Sequence, residues 1–282
     1  MKGGKTGLFK PSSLAEALDL LLSVQDARPL AGGASLVAMI NARIVEPAAL
    51  VSLAMIPELK GISASPAGGI VIGASTRHCE IAEDPRLTDT LAVVQDAARQ
   101  IASAPVRNMG TIGGAVAHAD PSLDFPPALM AAQATIEIAS KTGRRTVPLA
   151  EFFVDWFTTS LNAGEIVVAV HLPKPKPGVG LYLKHARVAG DFAIASIALT
   201  LARDGEAHVA IGGCGPTPLA SAEVDRMLSS SRSDVALKRA GEILVSLADP
   251  VDDVRGTAEY RRMLIPRMLR RATYEAATRS AG

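Results

Sequence analysis

Apolar positions fall in short runs along this chain, and their spacing switches between helical and strand-like. Leu14, Leu18 and Leu21 recur at helical intervals behind Ser13-Leu-Ala-Glu16, whose Ser and Glu have capping-box spacing, and predict a first helix. "RPLA" reads as a short strand running into "GGAS" (32–35). A helical segment follows to about Arg43, and Pro47 marks its end. "ALVSLAMI" and "GIVIGAS" read as strands on either side of the turn "IPELKGI", and "RLTDTLAVVQDAARQIAS" as one amphipathic helix. "MGTIGGAVAHADPSLDFPPALM" (109–130) fits neither period. Beyond it "ATIEIAS", "RTVPLAEF" and "EIVVAVHLP" alternate or carry β-branched residues, as strands do.

"KPKPGVG" (174–180) holds two prolines and two glycines and is the best candidate for a domain boundary. Three strand-like runs follow, "LYLKHAR", "FAIASIALTLAR" and "AHVAIGG". Three helical ones then close the chain, "ASAEVDRML", "DVALKRAGEILVSL" and "AEYRRMLIPRMLRRATYEAA". Strands and helices mix without strict alternation, which predicts an α+β fold.

Composition narrows the class. The 282 residues suffice for one large domain or two to three smaller ones, and 48% are hydrophobic. With 29 basic and 28 acidic side chains the net charge is +1, which argues for no nucleic-acid partner and no anionic membrane. No stretch approaches the roughly 20 apolar residues of a membrane span, and the first residues lack the apolar core of a secretory signal. The expectation is a soluble, cytoplasmic protein. Cys79 and Cys214 are the two cysteines, too few for an iron–sulfur cluster or a cysteine-rich zinc site, and read as buried thiols.

"PLAGGASL" and "GTIGGAV" share one arrangement, a Gly-Gly pair beside small or hydroxyl residues at the end of an apolar run. Glycine permits positive φ and close approach, and consecutive inward N–H groups form a nest for an anion. Such loops would bind a pyrophosphate through amides rather than lysines, with hydroxyls from Ser35 and Thr111; two ordinary tight turns are the alternative. "GCGPTP" (213–218) is the nearest approach to a dinucleotide fingerprint, but proline takes its third glycine position, so a Rossmann nicotinamide site is not expected.

Taken in order, "PLAGGASL", "IPELKGI", "IGAST", "RNMGTIGGAVAHADPSLDFPPAL", "LYLKHARVAGDFAIASIAL", "GGCGPTPLASAE" and "RGTAEYRRMLIPRMLRRA" give the chain, over nearly its whole length, a strong resemblance to the FAD-binding (medium) subunits of the molybdenum hydroxylase family. That family includes aerobic carbon monoxide dehydrogenase and xanthine dehydrogenase. The resemblance implies a vanillyl-alcohol-oxidase-type (PCMH-type) FAD-binding domain of two α+β subdomains over 1–175. A smaller CO dehydrogenase flavoprotein C-terminal domain would occupy 176–282.

It also implies an FAD-carrying electron-transfer subunit of an oxidoreductase. Its partners would be an iron–sulfur small subunit and a molybdopterin-binding large subunit, two copies of each chain in the assembly. Electrons would pass from the clusters through FAD to NAD+, a quinone or oxygen. Alternatives are a self-sufficient flavin oxidase or reductase and an assembly subunit that has lost FAD.

By the same resemblance Arg28, Pro29, Leu30, Ala31, Gly32, Gly33, Ala34, Ser35 and Leu36 form the first loop on the FAD, and Thr111, Gly113 and Gly114 the second. Asp124 holds a polar part of the flavin nucleotide, although Asp there would also N-cap "FPPALMAA". Lys184 approaches the pyrimidine end of the ring, where a cation favours reduced flavin. Ile101 and Val167 match positions packed on the cofactor, or are ordinary core. Ala34 and Ala115 replace residues that are often polar in relatives.

No catalytic nucleophile or acid–base set is expected, and no metal site: His118-Ala-Asp120 supplies only two ligands. His78, His171, His185 and His208 read as structural, and the arginine-rich stretch from Arg255 to Arg271 as a packed, solvated helix.

Overall fold

A computed structural model describes residues 6–281. The first unit is a small parallel sheet. It comprises strand β1 (Gly7–Phe9), helix α1 (Leu14–Ser23), β2 (Ala27–Leu30), α2 (Leu36–Asn41) and β3 (Ala49–Ser52), with strand order β1-β3-β2. Leu14, Ala17 and Leu18 bury one face of α1 on Val51, Leu53 and Ile56. The cap of α1 differs from the expected reciprocal box. Ser13 Oγ accepts from the Glu16 amide at 3.3 Å, but the Glu16 carboxylate accepts from the Ser12 amide at 2.9 Å.

The second unit is an antiparallel sheet with helices laid on it. β4 (Ile62–Ala64) and β5 (Ile70–Gly73) lead into α3 (His78–Glu83), α4 (Ala92–Gln100), α5 (Ala104–Met109), α6 (Ile112–His118) and α7 (Phe125–Ala131). Then come β6 (Thr135–Ser140), β7 (Gly143–Pro148), α8 (Leu149–Phe152), the short pair β8 (Phe153–Asp155) and β9 (Thr158–Thr159), and β10 (Ile166–Leu172). The sheet order is β4-β5-β10-β6-β7.

Three expectations change here. The long amphipathic helix is interrupted, because Asp89 adopts positive φ and a 3-10 turn over Asp89–Leu91 precedes α4. "RTVPLAEF" is a strand only to Pro148, after which Leu149 and Phe152 turn into the core as one helical turn. The unreadable stretch 109–130 folds as α6 and α7. Their helix-poor Gly and Pro content is overridden by burial of Ile112, Val116, Phe125 and Leu129.

The third unit begins where the chain leaves β10. β11 (Gly178–His185), β12 (Ala195–Ala202), β13 (Ala207–Gly212) and β14 (Leu219–Ala220) form an antiparallel sheet in sequential order. α9 (Ala222–Ser230), α10 (Asp234–Leu247) and α11 (Ala258–Ala281) cover one face, and Pro266 lies inside α11. β12 is buried on both sides. Ile197 and Leu199 face the core shared with the helices, whereas Ala198, with Tyr182 and Ala210, packs into the core of the second unit. That shared packing is what brings β11 up against the end of α4 and the start of α7. Among the described residues no helix is long and apolar enough to cross a membrane.

Candidate functional site

A cavity of about 460 Å³ opens where the three units meet. Its walls come from the loop after β2, from the segments around α5 and α6, from the loop before α7, from the start of β10 and from residues 190–192 after β11. Of the sixteen residues expected to bind cofactor, all but Leu30 and Lys184 lie on this wall. Leu30 ends β2, and its carbonyl accepts from the Leu53 amide at 2.9 Å.

The first glycine loop has the expected character. Gly33 adopts φ of +76°, which glycine alone takes without strain. The N–H groups from Gly32 to Ser35 donate to no acceptor among the described residues. Ser35 stands at the N-cap position of α2 without making a capping hydrogen bond. Gly32 has a different reason. A Cβ there would run into the carbonyl of Met109, so this glycine lets the first loop lie directly on the approach to the second. Arg28 and Pro29 complete the rim.

The second glycine stretch does not form the expected nest. Gly113 and Gly114 lie in the first turn of α6, and neither has positive φ. The Ile112 amide donates to Thr76 O at 3.1 Å and the Gly113 amide to Ala74 O at 2.9 Å. Thr111 Oγ1 accepts from the Gly114 amide at 3.3 Å. These donors are spent on the fold. Gly113 is required because its Cβ would meet Ala74 O at 2.8 Å and Cα at 2.9 Å. Gly114 faces the cavity, where a Cβ would lie 3.0 Å from Thr111 Oγ1 and 3.6 Å from Ala31 Cβ.

Asp124 begins α7, but its carboxylate makes no capping bond, which corrects the N-cap reading. It accepts from Tyr182 Oη at 2.7 Å and pairs with Lys184 Nζ at 3.0 Å; both partners come from β11. The side chains of Asp124 and Lys184 are only 7% and 6% exposed. Burial pushes the Asp124 carboxyl up from its ordinary range, while Lys184 and Tyr182 pull it back down. Burial and the Asp124 charge raise the Tyr182 phenol.

Lys184 is therefore not the exposed strand lysine that its residue type suggests, nor does it line the main cavity. Its ammonium also donates to Gln100 O at 2.7 Å, and it borders a second, smaller hollow beside Arg99 and Arg279. It stands behind Asp124, away from the main cavity.

Ile101 and Val167 are buried and also form cavity wall, so core packing and site lining coincide. Val167 sits where the register of β10 against β6 shifts, a bulge that re-aims the strand beside the cavity. Ala34 and Ala115 also line it.

Several wall residues were not foreseen. Glu165 is clamped by Arg145 at 2.7 and 2.9 Å, which holds its carboxyl down at about 2. Gly190, Asp191 and Phe192 close one side. Gly190 adopts φ of +82° and lies against Ala102, and the Arg255 guanidinium stacks 4.9 Å from the Phe192 ring. The one sequence signal for this segment was a glycine in a polar turn between two strands.

The histidines separate cleanly. His171 pairs with Glu137 at 2.7 Å, His185 with Tyr260 at 2.9 Å, and His208 with Asp225 and Glu206 at 3.0 Å each. His118 packs 5.6 Å from the Phe157 ring, and the Asp120 carboxylate accepts from the Ser122 amide. His78 lines the cavity and has no side-chain hydrogen bond. Among the described residues no three His, Cys, Asp or Glu side chains converge on a metal position. The "GCGPTP" turn lies off the cavity: the Gly213 amide donates to Pro121 O and its carbonyl accepts from buried Arg261.

Comparison with known proteins bears on the fold and the family. Residues 4–175 match the family described as the FAD binding domain in molybdopterin dehydrogenase, and residues 181–276 the CO dehydrogenase flavoprotein C-terminal domain. The chain is 35% identical over 273 residues to the glyceraldehyde dehydrogenase medium chain of Sulfolobus acidocaldarius, covering 95% of this chain and 97% of that one. It is 34% identical to the carbon monoxide dehydrogenase medium chain of Hydrogenophaga pseudoflava, over 96% of each. A solved structure of the carbon monoxide dehydrogenase from Hydrogenophaga pseudoflava, in a form lacking the Mo-pyranopterin moiety, superposes with a TM-score of 0.93 at 32% identity, covering 99% of both chains.

Proposed function

Because this chain belongs to the FAD-binding medium subunits of the molybdenum hydroxylase family, we propose that it is the flavin-carrying link of a multi-subunit dehydrogenase. Electrons would arrive from a small iron–sulfur subunit and leave for NAD+, a quinone or oxygen. Substrate would be oxidised on a separate molybdopterin-binding large subunit. The observation that carries this reading is the pairing, across one cavity, of a loop of unspent amides with a buried carboxylate.

The residues present fit FAD. The N–H groups of Gly32 to Ser35 supply a neutral anion cradle suited to a pyrophosphate, with Arg28 beside it as a cation. Ile101, Val167 and Leu36 supply apolar wall for a flat ring system. Asp124 supplies a fixed acceptor, held in place by Tyr182 and Lys184. Bound FAD supplies the redox chemistry; the chain supplies orientation, electrostatics and exclusion of water. Lys184 contributes by pairing with Asp124, its charge opposing the upward push that burial gives the carboxyl.

The test has two readouts. The purified chain should be yellow, and acid precipitation should release the colour into the supernatant, since neither loop offers a His or Cys for covalent attachment. A colourless chain that takes up no added FAD would defeat the reading. Co-expression with candidate small and large subunits should yield a complex whose flavin bleaches on addition of the large subunit's substrate; a flavin that bleaches equally without partners would overturn the multi-subunit assignment.

A further inference from the structure

His78 starts α3 at the seam between the two glycine stretches. Its backbone amide donates to Gly110 O at 3.0 Å. Its ring lies against Gly110 so closely that a Cβ on that glycine would run into Nε2. Gly110 follows Met109, whose carbonyl underlies Gly32 of the first loop. The ring edge also meets Phe125 of α7, centroids 5.1 Å apart. His78 is thus packed against the approach to the second loop and against the helix that Asp124 begins, and it is 5% exposed.

A buried imidazole with no partner is costly, on the order of 1–3 kcal/mol, and is the exception in native structures. The chain satisfies His171, His185 and His208 but not His78, the most buried of the four. Nδ1 is sealed away from solvent without a partner. The remaining direction for a partner is the cavity that the residue lines. Burial, reinforced by the Arg107 charge, holds its pKa down to about 4, so the ring is neutral and carries one N–H donor and one acceptor. The groups expected in a cradle of amides are acceptors, phosphate oxygens and ring carbonyls, which call for the donor.

We propose that His78 is a further binding residue of this site, its neutral imidazole donating from Nε2 to an acceptor on bound FAD. The inference rests on FAD being the ligand. Nε2, which makes no hydrogen bond within the protein, gains one when the cavity fills, whereas the sealed Nδ1 stays without a partner in both states.

The experiment uses the full chain labelled with 15N-histidine, prepared without and with stoichiometric FAD; a His78→Gln sample assigns the resonance. Long-range proton–nitrogen spectra should show the His78 ring as a single neutral tautomer whose protonated nitrogen moves on FAD addition, with His171, His185 and His208 unmoved. His78→Phe, which keeps the ring volume but removes the donor, should weaken FAD binding about tenfold, and His78→Gln should recover part of the loss. If FAD binds and colours the protein while the His78 nitrogens stay in place, the proposal is overturned and the flavin reading stands. If wild-type protein takes up no FAD, that reading falls and the proposal falls with it. The spectra need no variant to fold in FAD-free form beyond the assignment sample, and the wild-type shift alone decides.

Discussion

The two Gly-Gly pairs look alike as text and differ as structure. At residues 32–33 the backbone is open: Gly33 has positive φ, and the amides through Ser35 are unspent. At residues 113–114 the backbone is closed into a helical turn whose donors already serve Ala74 and Thr111. One pair provides hydrogen-bond donors, and the other provides closeness, because a side chain at 113 cannot coexist with Ala74. A glycine pair in a sequence therefore poses two separate questions, what φ it needs and what it must lie against. In the second stretch the polar contribution comes from Asp124, ten residues further on, with its two partners on β11.

That division of labour can be broken most severely at Asp124. Lys184→Met leaves a buried carboxylate with only Tyr182. It should cost about 3–5 kcal/mol in chemical denaturation, and the double variant with Asp124→Asn should recover a large part. A loss under 1 kcal/mol would mean the pair is not closed.

Next in size is a pH effect at the seam. The folded pKa of His78 lies at about 4, below the unfolded 6.5. The folded state therefore resists a proton that the unfolded chain accepts. Its contribution is full above pH 6.5 and drains away as pH falls towards 4, by roughly 3 kcal/mol in total. Urea midpoints across that window should slope in wild type and flatten in His78→Phe; equal slopes would remove His78 from the account.

The comparison itself is sharpened by two alanines. Gly33→Ala forces a left-handed conformation costing about 1–2 kcal/mol. Its Cβ would also sit 3.1 Å from Val37 Cγ2. Titration with FAD should show affinity falling about tenfold, as the open amides are re-aimed.

Gly114→Ala should do least. Helix propensity favours it by about 0.5–1 kcal/mol, offsetting a tight approach to Thr111, and its amide is already bonded. FAD affinity should change by about threefold or less. Equal losses in the two variants would refute the distinction between an open and a closed loop.

Much of the architecture was legible because burial and period agree. α10 runs over the predicted residues, and β10 to β13 match apolar runs that are buried on one or both faces. α6 and α7 were not legible, since their Gly and Pro content argues against helix and only tertiary burial of Ile112 and Phe125 decides the matter. Nor was the break at Asp89, a backbone choice with no pattern in the apolar positions. The site was half legible. Loop residues announced themselves by type, but His78, Glu165 and Phe192 reach the cavity from three other places in the chain, and sequence spacing does not encode that convergence. Lys184 was singled out by resemblance, yet which side of Asp124 it occupies is set by the pairing of β11 with the end of α4.

The wall of the cavity includes both Gly32 and Phe192, which has a consequence for how the protein is made. About 160 residues separate them, so at roughly 5–20 residues per second the ribosome takes on the order of 10–30 s to add the second wall after the first. During that interval the enclosure around the open amides lacks the side that residues 190–192 supply, and the strand that carries Tyr182 and Lys184 has not yet met Asp124. Capture of the flavin nucleotide is thereby deferred until translation has passed the third unit's first hairpin, and a nascent chain stalled before that point should emerge colourless.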